Sequence, residues 1–116
     1  MVARISGEIK GGIIRCANTV NLTNYKKLYF TGSLAFNGGS AAYVRLCVWN
    51  KLGSTWNENV VADIEANGTS GTFNYENAEL DISTLNGNHV IGFGLYSSQA
   101  ASNDYAQVTL NSLYLE

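Results

Sequence analysis

The chain has 116 residues, of which 46% are hydrophobic and 14% are charged, and its formal net charge is −2. This length predicts one domain, spanning 1–116, that buries a single core. The hydrophobic content argues against intrinsic disorder, and no apolar run is long enough to cross a membrane, so we expect no membrane insertion.

Opposite charges are concentrated in opposite halves of the chain. All seven basic residues lie at or before Lys51, and eight of the nine acidic residues lie at or after Glu58. The basic residues are scattered and do not form the patch that is typical of nucleic-acid binding, so we expect no nucleic-acid partner. The separation predicts that strands from the two halves lie side by side and that their charges offset.

The N-terminal segment carries no recognisable targeting signal. Residues 1–7 lack strong hydrophobic patterning, which predicts a flexible tail or the start of a module cut from a longer protein. The stretch MVARISGEIKGGIIRCA lacks the long apolar segment of a secretory signal. Cys16 and Cys47 belong to no CxxC pair or histidine cluster, so we expect both thiols to be free, buried and slow to react.

The first strands follow from the alternation of apolar and polar residues. After a short strand in GIIRCA, the stretch KLYFTGSLAF places Leu28, Phe30 and Leu34 on one face. NGG, at 37–39, is a turn signal, and the next strand is AAYVRLCVW. The two strands on either side of NGG form either a hairpin or a link between two sheets.

The second half continues the same pattern to the end of the chain. VVADIEA and HVIGFGLY alternate cleanly, whereas TFNYENAELDIS and YAQVTLNSLYLE change phase, which predicts bulges near Asn77 and Asn111. About eight short strands, separated by Gly and Asn turns, predict an all-β fold: an antiparallel β-sandwich of the jelly-roll type. The predicted core comprises Leu28, Phe30, Leu34, Val44, Leu46, Val48, Ile91, Phe93 and Leu110.

Nothing in the sequence favours catalysis, and we expect no enzyme. His89, the one histidine, shares its strand face with Ile91 and Phe93, which predicts a capped residue at the start of a core strand. Asp63 and Glu65 share a strand face, but no aromatic or apolar context would raise the pKa of either carboxyl group. A solvated acidic face is therefore the prediction for them.

Three sequence segments resemble those of a known family: VNLTNYKKLYF, LDISTLNGNHVIGFGLYS and AQVTLNSLYLE. Together they are similar to the jelly-roll domains of carbohydrate-binding modules, especially those carried on bacteriophage tail and baseplate proteins. The resemblance implies a non-catalytic module that binds a glycan or cell-surface polysaccharide, or that serves as a spacer. It also implies a place in a virion, on the phage tail, or outside the cell as part of a larger protein.

Many members of that family bind a structural calcium ion near their first and last strands. This chain departs from their pattern, because its last strand reads Leu110, Asn111, Ser112 where an acidic residue is common. Glu8 and Glu116 alone remain to supply carboxylate oxygens, fewer than calcium usually needs, so we expect no cofactor.

The candidate glycan site lies on the second face of AAYVRLCVWNKLGSTW. Val44, Leu46 and Val48 form a core face, and the opposite face carries aromatic rings and a guanidinium. Flat rings can stack on the C–H faces of sugars, and planar polar groups can bond their hydroxyls. The predicted carbohydrate-binding residues are Tyr43, Arg45, Trp49, Asn50, Trp56 and Tyr96.

The alternative is that this face is packed, with Trp56 folded over a second small core, and Cys47 on the same face is compatible with that alternative.

The sequence leaves three functions open. The chain is a carbohydrate-recognition or receptor-binding module of a phage tail or similar assembly, a structural domain whose aromatic face joins copies of a homo-oligomer, or an accessory domain of a bacterial glycan-degrading enzyme.

Overall fold

The computed structural model describes residues 1–6, 10–55, 57–97 and 105–116, and this part of the chain folds into strands and connecting loops. No helix in these ranges has the length and hydropathy needed to cross a membrane. Seven strands are present in these ranges: β1 (Val2–Ser6), β2 (Lys10–Arg15), β3 (Val20–Asn21), β4 (Lys27–Trp49), β5 (Val60–Asp81), β6 (Asn88–Ser97) and β7 (Tyr105–Leu115).

Two long strands, β4 and β5, connect the two layers of the fold. The first part of β4, 27–37, pairs with 70–81 of β5 and with β7. The second part, 42–49, pairs with 60–68 of β5 and with β6. The register shifts between Asn37 and Ala42, where both strands pass from one sheet to the other. The NGG stretch therefore links two sheets and is not a hairpin turn.

The strand order is that of a jelly roll. One sheet, here the β7 sheet, has the order β1, β7, first part of β4, second part of β5. The other, the β6 sheet, has the order β2, β6, second part of β4, first part of β5. When the two parts of β4 and of β5 are counted separately and the two-residue β3 is left out, the sheets contain eight antiparallel segments. Numbered from 1 to 8 along the chain, they have the order 1-8-3-6 in the β7 sheet and 2-7-4-5 in the β6 sheet. This order confirms the predicted β-sandwich.

The predicted core is confirmed between the two sheets. Leu28, Phe30, Leu34 and the other predicted aliphatic and aromatic residues of β4 and β6 are buried in one cluster. Leu110 is partly buried and packs against that cluster. Phe30 packs against Tyr75 of the neighbouring strand in its own sheet, with ring centroids 5.5 Å apart, and against Phe93 of the opposite sheet, with centroids 5.6 Å apart.

Both predicted bulges are present, and they flank the same point of β4. Thr31 pairs with Ser112, and the next residue, Gly32, pairs with Leu110, so Asn111 is an extra residue in β7. On the other side β5 also has an extra residue, and Asn77 there has a φ of 48°. A side chain on Gly32 would collide with the carbonyl oxygen of Thr109, so this crowded position requires glycine.

Two predictions about the N-terminal region are wrong. Val2–Ser6 do not form a tail but pair with β7 as β1, where their backbone supplies hydrogen-bond partners to an otherwise open strand edge; Gly7 lies outside the described residues. Cys16 is exposed and not buried, because it follows the end of β2 at the edge of the β6 sheet. Both cysteines are free, as predicted.

The opposite charges of the two halves do meet across neighbouring strands, as predicted. Lys27 on β4 lies 2.6 Å from the carboxylate of Glu79 on β5. Arg45, farther along β4, contacts two acidic residues of the same partner strand. The described ion pairs thus join β4, from the basic half, to β5, from the acidic half.

Candidate functional site

The outward surface of the β6 sheet brings several of the predicted site residues together. Tyr43 lies opposite Tyr96 on β6, and Arg45 lies opposite Gly94. Because cross-strand partners share one face of a sheet, these side chains lie on one surface, which we call the Tyr43 face. Its defining residues are Tyr43, Arg45 and Tyr96, together with the acidic partners of Arg45.

Tyr43 and Tyr96 form a stacked pair. Their ring centroids are 5.5 Å apart and their planes are inclined by 29°. Both side chains are half-buried, so each keeps part of its surface open to solvent. The pair therefore offers an aromatic surface with phenolic hydroxyls, which can donate and accept hydrogen bonds.

Arg45 is held between two carboxylates of β5. Its Nε donates to Oδ2 of Asp63 at 2.8 Å, and its Nη2 lies 3.4 Å from Oε2 of Glu65. Burial alone would lower the pKa of Arg45, but the hydrogen bond and negative charge of Asp63, together with Glu65, outweigh burial and raise that pKa. The guanidinium is thus charged and fixed in one orientation, because its partners are part of the same sheet.

Asp63 and Glu65 are the residues that the sequence-based interpretation missed. Their place in the sequence predicts a solvated acidic face, whereas both contact Arg45 and their side chains are only 31% and 29% exposed. The signal was present in the sequence: loop 50–59 joins two adjacent strands, and an antiparallel hairpin across it pairs Arg45 with Glu65.

Trp49 is packed and does not form a stacking platform. Its side chain is 0% exposed and lies in a small second cluster with Cys47, Val90 and the partly buried Val60. A ring that is wholly covered cannot stack on a sugar, so the predicted role of Trp49 in binding is wrong in this structure. The alternative prediction, a second small core on this face, is confirmed for Trp49 and Cys47.

The remaining predicted site residues lie in or near the loop that follows β4. Asn50 is exposed, and its backbone N–H donates to the carbonyl oxygen of Asn59 at 3.0 Å, which closes the base of loop 50–59. Trp56 lies outside the described residues. Asn50 is therefore near the packed end of the Tyr43 face, beside Trp49 and away from the tyrosine pair.

Glycines of β6 shape the space between β2 and β4. Gly92 lies opposite Cys47 on one side and Arg15 on the other. A Cβ at Gly92 would collide with the carbonyl oxygen of Ile14 and lie 2.6 Å from the Cα of Arg15. The glycine therefore permits a close approach of the β2 backbone.

His89 is a buried strand residue, as predicted. It is 5% exposed, and its Nδ1 lies 3.0 Å from the carbonyl oxygen of Gly87 in the preceding turn. Within the described ranges no group of three or more His, Cys, Asp or Glu side chains is placed to hold a metal ion. Of the two carboxylates considered for calcium, Glu8 lies outside those ranges.

Comparison with known proteins gives no match to a family model, to a curated protein or to a solved structure. The resemblance to carbohydrate-binding modules accordingly rests on the three sequence segments VNLTNYKKLYF, LDISTLNGNHVIGFGLYS and AQVTLNSLYLE alone.

Proposed function

We propose that this chain is a non-catalytic carbohydrate-recognition module, of the kind that a phage tail or a similar surface assembly carries to bind a receptor glycan. The observation that carries the proposal is the stacked pair of Tyr43 and Tyr96 beside the Arg45, Asp63 and Glu65 cluster. A saccharide presents C–H patches and hydroxyls side by side, and aromatic rings next to fixed polar groups can contact both.

The polar cluster supports the proposal through its orientation as well as its chemistry. Guanidinium N–H groups donate to sugar oxygens, and carboxylates accept from sugar hydroxyls. The contacts of Arg45 with Asp63 and Glu65 hold these groups in place before a ligand arrives, which lowers the entropy lost on binding. The described groups of the site all lie on the strands β4, β5 and β6.

A glycan array incubated with the labelled protein tests the proposal. We expect binding to a restricted set of glycans and loss of that binding in Tyr43→Ala. The control is Tyr25→Ala, which removes a tyrosine that is 38% exposed from the turn after β3, away from the Tyr43 face. An array with no specific signal, or equal binding by Tyr43→Ala and the wild type, would contradict the proposal.

The second candidate function is a structural domain that joins copies of the chain. Its specific support is the exposure of Ile13 and Ile14 on β2, at 37% and 36%, along one edge of the β6 sheet. Light scattering of the purified protein separates the two functions. A stable oligomer that Ile13→Ser and Ile14→Ser dissociate would favour the structural role, whereas a monomer that binds glycans would favour recognition.

A further inference from the structure

A second pair of stacked tyrosines lies on the outward face of the other sheet. Tyr29 on β4 pairs with Tyr114 on β7, and their ring centroids are 4.9 Å apart with planes inclined by only 16°. Tyr114 is 43% exposed and Tyr29 is half-buried. Neither ring belongs to the main core or to the second small cluster. The pair therefore stands outside the packing that stabilises the sandwich.

The surroundings of this pair are polar on the same face. Glu79 lies opposite Tyr29 on the β5 side and bonds Lys27. In the next cross-strand row, Thr31 lies opposite Ser112. Hydroxyl, carboxylate and ammonium groups thus border the rings, and each can form hydrogen bonds with a saccharide.

The two bulges of the β7 sheet add amide groups to the same border. The backbone N–H of Asn77 donates to Oγ1 of Thr31 at 2.9 Å, and the Thr31 hydroxyl donates to Oδ1 of Asn77 at 3.4 Å. Asn111, the extra residue of β7, lies across Thr31 from Asn77. Bulges often redirect a side chain beside a binding site, and here they bring two asparagines to one row.

The surface is hollow on both sides of this region. Thr31, Asn74, Glu76 and Asn111 help to line a depression of about 440 Å³. A second depression, of about 630 Å³, is lined by Lys26, Lys27, Glu79, Asp81 and Ser83. Because Tyr29 lies between Lys27 and Thr31 on β4, the two depressions extend away from the tyrosine pair in opposite directions along the sheet.

We propose that Tyr29 and Tyr114 form the floor of a second saccharide-binding site, on the sheet opposite the Tyr43 face. This inference rests on the proposed carbohydrate-recognition function and extends it to a second surface. A chain of sugars crossing the rings would reach the hydroxyl and amide groups on one side and the Lys27 and Glu79 pair on the other.

The charges of the site favour a neutral oligosaccharide. Among the residues that the structure describes, four acidic ones lie on or beside this face, against two basic ones, Lys26 and Lys27; the acidic residues are Glu76, Glu79, Asp81 and Glu116. The acidic excess disfavours sulfated, phosphorylated or sialylated sugars, because like charges repel. Uncharged hexose and N-acetylhexosamine chains have the donors, acceptors and C–H faces that the site matches.

Two sites on opposite faces would let one module hold two chains of a surface polysaccharide. Binding at the second site then raises the effective affinity for a dense glycan surface without any new contact. The Tyr43 face and the Tyr29 pair lie on different sheets, so one bound chain does not block the other.

The test is an NMR titration of ¹⁵N-labelled protein with three neutral probes: cellohexaose, chitohexaose and mannohexaose. We expect at least one probe to shift the amide signals of Thr31, Asn77 and Asn111. Tyr114→Ala should weaken that binding by about tenfold, which is the upper range for loss of one aromatic contact. Tyr25→Ala, the control, should bind as the wild type does. In the wild-type complex, transferred Overhauser effects between sugar protons and the Tyr114 ring provide a readout that needs no variant.

The results separate this inference from the proposed function. If a probe shifts only signals of the Tyr43 face and Tyr114→Ala binds it normally, glycan recognition stands and the second site is wrong. If no probe shifts any signal of the wild-type protein, the second site is contradicted, and the glycan array decides the proposed function separately. Shifts around Thr31 that persist unchanged in Tyr114→Ala would also overturn the role given to the ring.

Discussion

Ionisation of the buried Cys47 thiol should lower the stability of the fold at alkaline pH. The side chain is 0% exposed, beside Trp49 and Val90. Burial, which disfavours the thiolate, raises the pKa of Cys47 from 9.0 to about 12, although the charge of Arg45 partly opposes the rise. The unfolded chain has no such burial, so its thiol ionises at the ordinary pH.

The size and sign of the effect follow from this difference between the two states. Below pH 9.0 the thiol is protonated whether the chain is folded or not, and the difference contributes nothing. From pH 9.0 to about 12 the unfolded state binds fewer protons, so the free energy of unfolding falls by about 1.4 kcal/mol per pH unit. The loss is about 2–3 kcal/mol by about pH 11 and about 4 kcal/mol when the folded thiol also ionises.

Urea denaturation of the wild type and of Cys47→Ala, in the presence of a phosphine reductant, measures this loss. Tyrosine and lysine residues also titrate in this range, but they do so in both proteins and cancel in the difference between them. The stability advantage of the wild type over Cys47→Ala should therefore shrink by about 2–3 kcal/mol between about pH 8 and pH 11. A difference that stays constant over this range would mean that the thiol ionises equally in both states, and would refute its burial in the second small cluster with Trp49 and Val90.

Three further predictions concern packing and thiol access. Phe93→Ala should lower the free energy of unfolding by about 3–5 kcal/mol, because it removes buried surface and leaves a cavity. The control Val61→Ala, at an exposed position, should lower it by less than about 0.5 kcal/mol, and equal losses in urea denaturation would contradict the core assignment. In the native protein, iodoacetamide should label Cys16 and should not label Cys47 until the chain unfolds. Mass spectrometry that finds both cysteines labelled in the native protein would contradict the burial of Cys47. Gly92→Ala should destabilise the protein, because its new Cβ meets the backbone of β2, and an unchanged melting temperature would show that β2 does not approach so closely.

The sequence was sufficient for the layer architecture because alternation and turn residues are local signals. The apolar parity of β4 and β6 identified the core, and the changes of parity near Asn77 and Asn111 identified the bulges. What the local signal left open was the course of the chain at NGG. A hairpin and a passage between sheets have the same pattern there, and only the pairing of Asn37 and Ala42 with different sheets decides between them.

The candidate site was predicted less well, because its composition depends on contacts between distant strands. The alternation of β4 placed Tyr43 and Trp49 on one face but could not show that one ring stays half-open and the other is covered. Burial of Trp49 depends on Val90 of β6 and Val60 of β5, which the parity of β4 does not reveal. The Tyr29 and Tyr114 pair was missed for the same reason, since it joins residues far apart in the chain.

Isothermal titration calorimetry with the strongest glycan from the array tests the central claim most directly. The wild-type protein is compared with a Tyr43→Ala and Tyr96→Ala double variant, and denaturation is used to confirm that both are folded. Carbohydrate recognition by the Tyr43 face predicts a saturable heat for the wild type and at least about a tenfold loss of affinity in the variant. Superimposable titration curves, or no saturable heat with the wild type, would contradict it.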